Sequence, residues 1–164
     1  MSHDAGFTLL ELLITLAIIA ILLSLTTMGL QSFFLKNQHT ASVNQLLNAL
    51  SFARHSAITR HMPVSLCPTI DKKTCHNEWN QGYMVFLYRT SINPVNAKDI
   101  LAVYSRTTDT LNITNSRALI TFQANGQSPA SNSTFIFSTS HTEPAITTKI
   151  ILNNSGRVTL DYIK

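Results

Sequence analysis

A single carboxylate, Glu11, stands in a stretch that carries no other charge. From Phe7 to Leu30 the chain is apolar or hydroxyl-bearing apart from that residue, and the run is long enough to cross a ~30 Å hydrocarbon layer as a helix. An ionised group in such a segment costs on the order of 2.5 to 3.5 kcal/mol, so it needs a partner, and the complementary group is an amine. A second reactive pair is Cys67 and Cys75, eight positions apart across Pro68 and the charged Asp71-Lys72-Lys73. Two thiols with only His76 beside them fall short of a tetrahedral metal site, and no metal is expected. Catalysis is not expected either. The six histidines are scattered, no Gly-x-Ser-x-Gly or phosphate-cradling glycine loop is present, and His55 and Ser56 are helix neighbours that cannot face each other as base and nucleophile. No cofactor is implied.

The elements that hold these residues follow from periodicity. Beyond Gln31, apolar residues recur at Val43, Leu46, Leu47, Leu50, Ala53, Ala57 and Ile58, the threes-and-fours spacing of an amphipathic helix. The helix is expected to run to about His61, where Pro63 forces the preceding residue out of the helical region. Arg54 and Arg60 fall off the apolar stripe and read as a solvated face. Past Pro63 come short segments rich in Val, Ile, Phe, Tyr and Thr: 64–66, 82–88, 100–104, 119–122, 134–137, 146–152 and 158–163. Bounded by Asn, Pro, Gly and Ser, they predict an antiparallel sheet. Residues 91–98 and 123–133 are expected loops. The glycine of Asn153-Asn154-Ser155-Gly156 suits a tight hairpin turn between the last two segments. The fold class is therefore α+β, a long helix laid on a β-rich domain, with Trp79 and Tyr83 expected to pack under the cysteine loop.

Gly6-Phe7-Thr8-Leu9-Leu10-Glu11 followed by an apolar helix resembles the processing signal of type IV pilins and type II secretion pseudopilins. The resemblance implies a leader at 1–6, cleavage between Gly6 and Phe7 by a prepilin peptidase, N-methylation of Phe7, and a meeting of Glu11 with the terminal amine of a neighbouring subunit. Residues 7–30 would be a transmembrane and later fibre-core helix, 31–62 its amphipathic continuation, and 63–164 a periplasmic β-rich domain anchored in the inner membrane before assembly into a pilus or pseudopilus. The leader holds Asp4 and His3 but no Lys or Arg, so orientation follows from the resemblance and not from flanking charge. In such an oxidising compartment Cys67 and Cys75 would pair, closing a short loop that stabilises by roughly 2 to 3 kcal/mol.

Further residues narrow the resemblance. Ala53-Arg54, Ala57-Ile58 with Arg60, Pro63-Val64-Ser65-Leu66-Cys67-Pro68, Trp79 with Gly82-Tyr83, Phe122 with Asn125-Gly126, and Gly156-Arg157-Val158 are similar, in order, to the FimT and GspH group of minor pilins and pseudopilins. The partners implied are other pilins or pseudopilins. FimT proteins of competent bacteria are thought to bind double-stranded DNA through a Gly-Arg-x-Arg element, which here reads Gly156-Arg157-Val158-Thr159. Positions 157 and 159 of a strand point the same way, so the family's two arginines would form a phosphate clamp. This chain keeps one of them, with Lys149 and Lys164 nearby as further candidates and Asp161 opposing. Its net charge is +4, a balance compatible with nucleic acid or another anionic surface.

Overall fold

The computed structural model describes residues 7–89, 93–105, 111–139 and 146–163, the side chains at 25–31 excepted. The leader 1–6, including Gly6, and Lys164 therefore lie outside the described residues, as do 91 and 92 of the first expected loop. One helix, α1, runs over Leu9–Arg60, 52 residues. The contacts divide the chain into two units, 1–35 and Lys36–Lys164, and α1 contributes to both. The second unit thus begins inside the expected continuation 31–62.

In the first unit the helix is clothed in exposed apolar side chains from Leu9 to Leu23. Among the described residues no helix is long and apolar enough to cross a membrane. The expected span 7–30 extends over 25–30, whose side chains lie outside the described ones.

In the second unit the same helix turns amphipathic. Val43, Leu46, Ala49, Leu50, Ala53 and Ala57 are buried in one core, as the threes-and-fours spacing requires, and Ala49 joins a stripe in which Ile58 is more exposed than expected. The β region forms two four-stranded antiparallel sheets rather than one. Strands β1 (Val64–Pro68), β2 (Gly82–Leu87), β3 (Ile100–Ser105) and β5 (Ile120–Phe122) make the first, in the order β3-β2-β1-β5. Strands β4 (Leu111–Asn115), β6 (Ser133–Thr139), β7 (Thr147–Leu152) and β8 (Val158–Ile163) make the second, in the order β4-β6-β7-β8. All seven expected strand segments form strands, each within two residues of its expected limits. The addition is an eighth strand, β4, Leu-Asn-Ile-Thr-Asn, which the sequence hides because its exposed positions are Asn and Thr, residues that otherwise mark turns.

Both sheets present alternate residues to the helix. Val64, Leu66, Val85, Ile120 and Phe122 come from the first; Phe135, Phe137, Ile150 and Leu152 come from the second. The opposite face of the first sheet carries a smaller cluster of Cys67, Met84, Phe86 and Val95. Strand alternation corrects one expectation here. Tyr83 lies on the helix-side face while Met84 and Cys67 lie on the other, so Trp79 and Tyr83 belong to the main core and not to the cysteine loop. Trp79 meets Phe135 edge-on at 4.8 Å and donates its indole N–H to the Arg117 carbonyl at 2.9 Å. The Asn80 carboxamide beside it accepts from the Ile113 N–H and donates to Asn112, joining the single 3-10 turn before β2 to β4 of the other sheet.

The helix–sheet interface holds a buried histidine. His39 is 4% exposed, its Nε2 lies 2.8 Å from Thr148 Oγ1, and its Nδ1 is buried without a partner among the described residues. Burial lowers its pKa below the ordinary imidazole value of 6.5. The unfolded chain therefore takes up a proton at higher pH than the folded one. Stability is complete above about pH 6.5 and is lost as pH falls below it, by at most about 1.4 kcal/mol per pH unit. Urea denaturation of the domain at pH 7.5 and 5.5 checks this: His39→Leu is expected to flatten the difference, and an unchanged difference would assign the loss to other groups.

Candidate functional site

The residues that could do chemistry occupy three places. At the start of α1, Thr8 is the N-cap: its Oγ1 accepts from the Glu11 N–H at 3.2 Å, and its carbonyl accepts from Leu12 at 3.2 Å. Glu11 thus occupies the third helical position, the favoured place for a carboxylate near a helix's positive end. The Thr-x-x-Glu spacing was there in the sequence as one half of a capping box. Glu11 is exposed, and so is Phe7. A carboxylate fixed one turn into a helix, amid side chains that have nothing apolar to lie on, can take a cation from another molecule.

The second place is the cysteine loop. Cys67 and Cys75 are bonded, with Cα atoms 5.6 Å apart. Inside the closed loop Asp71 gathers donors: its Oδ1 accepts from the Lys73 and Thr74 N–H groups at 2.9 and 2.8 Å, and its Oδ2 accepts from the Thr74 hydroxyl at 2.8 Å. These bonds hold its carboxyl well below the usual carboxylate range, the Thr74 N–H foremost. Among the described residues no three His, Cys, Asp or Glu side chains are placed to share a metal ion.

The third is the turn that carries Arg157. Asn153 donates to the Arg157 carbonyl at 3.0 Å and Gly156 to the Asn153 carbonyl at 2.9 Å, so the expected hairpin joins β7 to β8. Gly156 has φ +75°, and the neighbouring turn has Gly126 at φ +76°. The two turns are in backbone contact: Ser128 donates to the Asn154 carbonyl at 2.9 Å, and a side chain at Gly156 would run into the Gly126 carbonyl oxygen. Arg54 closes the arrangement. It is half-buried and its Nε donates to that same Gly126 carbonyl at 3.0 Å, which corrects the reading of Arg54 as a solvated residue. Arg60 is exposed, as expected.

Arg157 itself is exposed, one residue ahead of β8. Thr159 lies opposite Ile151 and bonds its carbonyl at 3.4 Å, and Lys149 lies directly opposite Asp161. A phosphate approaching Lys149 would therefore meet a carboxylate across the ladder. Sequence alone placed Asp161 beside Arg157 but did not show that it confronts Lys149.

A long N-terminal helix whose later half is laid against antiparallel sheets is the architecture of a pilin-like protein. A family model described as prokaryotic N-terminal methylation motif matches residues 1–27, and one described as Type II transport protein GspH matches residues 42–156. The chain belongs to the GspH family. Solved structures share its fold. The type IV minor pilin FimU of Pseudomonas aeruginosa superposes with a TM-score of 0.61 at 21% identity, over 79% of this chain and 92% of that one. The minor pseudopilin EpsH from the type 2 secretion system of Vibrio cholerae superposes with a TM-score of 0.57 at 9% identity, over 76% and 97%. No curated protein sequence matches the chain.

The two glycines make unequal demands. At Gly156 a Cβ would collide with backbone, whereas at Gly126 it would lie 2.7 Å from the Cδ1 end of the Ile58 side chain, which can move. Both also face the cost of a left-handed backbone. Gly156→Ala is expected to destabilise the domain by about 2 to 3 kcal/mol and Gly126→Ala by about 1 kcal/mol. Thermal and urea denaturation of both variants checks the order, and equal losses would mean that backbone conformation alone sets the cost.

Proposed function

We propose that this chain is a minor subunit of a pilin-type fibre, made as a precursor and assembled from the inner membrane. Prepilin peptidase cuts between Gly6 and Phe7 and the new amine is methylated. The apolar segment 7–30 holds the precursor in the inner membrane with the domain in the periplasm, and then moves into the fibre core. There Glu11 neutralises the terminal amine of a neighbouring subunit. One observation carries this reading: a helix whose apolar side chains are exposed from Leu9 to Leu23, in a segment with Glu11 as its sole charge, continues into a helix that is buried on one side in a folded domain. The membership of the GspH family and the N-terminal methylation motif support it.

The machine is read as a type IV pilus of the FimT kind on the strength of the Gly156-Arg157 element. The alternative is a GspH-like minor pseudopilin of a type II secretion system, which the family description favours. Deleting the gene and scoring piliation and transformation beside export of secreted proteins separates the two. Glu11→Ala tests what both share. Leaving an amine unpaired in an apolar core costs about 3 kcal/mol, about a hundredfold in a partition. The variant precursor is expected to accumulate in the membrane while its recovery in sheared fibres falls by that order, and wild-type incorporation would refute the assembly role.

A second reading, DNA capture during uptake, rests on Arg157, exposed at the end of a rigid turn, with Lys149 and Lys164 as auxiliary cations. Titration of double-stranded DNA onto residues 36–164 across 50 to 200 mM salt tests it. Affinity should fall steeply with salt, and Arg157→Gln should lower the slope by about one. Absence of binding at low salt would reduce Arg157 to a residue flanking the turn.

A further inference from the structure

The end of α1 and the loop that precedes β3 enclose a cleft that the assembly reading leaves unused. It measures about 860 Å3 and is lined chiefly by Arg60, Leu87, Arg89, Val95, Lys98 and Asp99. Its charges do not balance. Arg89 Nε donates to Asp99 Oδ1 at 3.0 Å, which occupies the one carboxylate, while Arg60 and Lys98 have no acidic partner among the described residues. Two positive charges are left over in one concavity, where they repel each other, although Arg60, in the last turn of α1, also faces the negative end of the helix.

The floor of the cleft is apolar and its wall is fixed. Leu87 and Val95 are both buried, Val95 in the small cluster with Cys67, Met84 and Phe86. Val95 donates to the Lys73 carbonyl at 2.8 Å, Cys75 to Asn93 Oδ1 at 2.7 Å, and Lys98 to Asn96 Oδ1 at 3.1 Å. The disulfide-closed loop thereby holds the segment that carries Val95 and Lys98. Cations around an apolar floor suit a ligand that offers carboxylates next to an aliphatic or aromatic side chain.

We propose that this cleft binds an acidic peptide segment of a partner protein, its carboxylates on Arg60 and Lys98 and a neighbouring apolar side chain over Leu87 and Val95. The proposal rests on the fibre reading only in taking that partner to be a neighbouring subunit. A second copy of this chain is a poor occupant, because it brings a net charge of +4 to a positive cleft. A DNA duplex is also a poor one: its backbone offers phosphates but no apolar side chain for Leu87 and Val95, and it would bring those phosphates up to the Asp99 carboxylate in the lining.

The test uses the full chain in zwitterionic detergent and three fluorescent probes followed by anisotropy: a short peptide of alternating Glu and Leu, its Gln-for-Glu counterpart, and a duplex oligonucleotide. The Glu peptide is expected to bind more tightly at low salt, and the double variant Arg60→Gln, Lys98→Gln to weaken it by about tenfold or more. Arg157→Gln should leave it unchanged. Arg60 and Lys98 are both exposed, so the double variant is expected to keep the wild-type melting temperature. No binding of the Glu peptide, equal binding of its Gln counterpart, or an unaltered double variant would overturn the proposal. So would duplex binding that the double variant alone abolishes, which would make the cleft a nucleic-acid site. Because the probes are read on the isolated chain, any of these failures leaves the incorporation defect of Glu11→Ala standing, and failure of that defect leaves the cleft standing.

Discussion

The structure depends on one helix that carries two kinds of surface. In α1 the hydrogen-bond ladder is continuous, but the sequence around it changes from apolar on every side to apolar along a stripe, and that change alone decides what each half can lie against. A dozen large apolar side chains from Phe7 to Leu23 are exposed. Covering them recovers roughly 20 to 30 kcal/mol at ~2 kcal/mol each, a drive far larger than the ~3 kcal/mol at stake in Glu11. The carboxylate is therefore not what brings such helices together. Burial is indifferent to a slip of one turn, whereas an unpaired charge is not, so in the proposed assembly Glu11 would set the register in which helices meet.

The domain must then be built so that one stripe of α1 is enough to organise it. Two sheets do this better than one. Each supplies its alternate residues to the same helix, and the Trp79 turn ties them together through Phe135, Arg117 and Asn80. At the C-terminal end of the helix the two glycine turns close on each other and on Arg54. That contact spares the Gly126 carbonyl from going unbonded under a helix, and it demands glycine at 156 because no Cβ fits against backbone.

How much of this could be read beforehand depended on whether the signal was local. The helix, its stop before Pro63, the cysteine pair and the 153–156 turn rest on spacing within a few residues, and all were legible. The Thr8-x-x-Glu11 cap is equally local, but a Glu inside an apolar run reads first as a charge in lipid. What stayed hidden was set by tertiary pairing. Strand β4 is polar by composition and becomes a strand only because β6 lies beside it. The face on which Tyr83 falls is fixed by register, not by its neighbours in sequence. Arg54 looks solvated on a helical wheel, and its acceptor lies 72 residues away.

The placement of charge follows from the same asymmetry. Only 12% of the chain is charged, and on the second sheet the outward positions are mostly neutral: Thr114, Thr134, Ile136, Ile151 and Thr159, with Lys149 set opposite Asp161. Cations gather instead where α1 ends. Arg54 is spent on a turn and Arg89 on Asp99, but Arg60, Lys98 and Arg157 are exposed, carried by the helix end, by the loop that the disulfide holds and by the hairpin that Gly126 supports. A surface this sparing of ions spends them where rigid elements converge, and rigid placement is what lets a charge discriminate between ligands instead of merely attracting them.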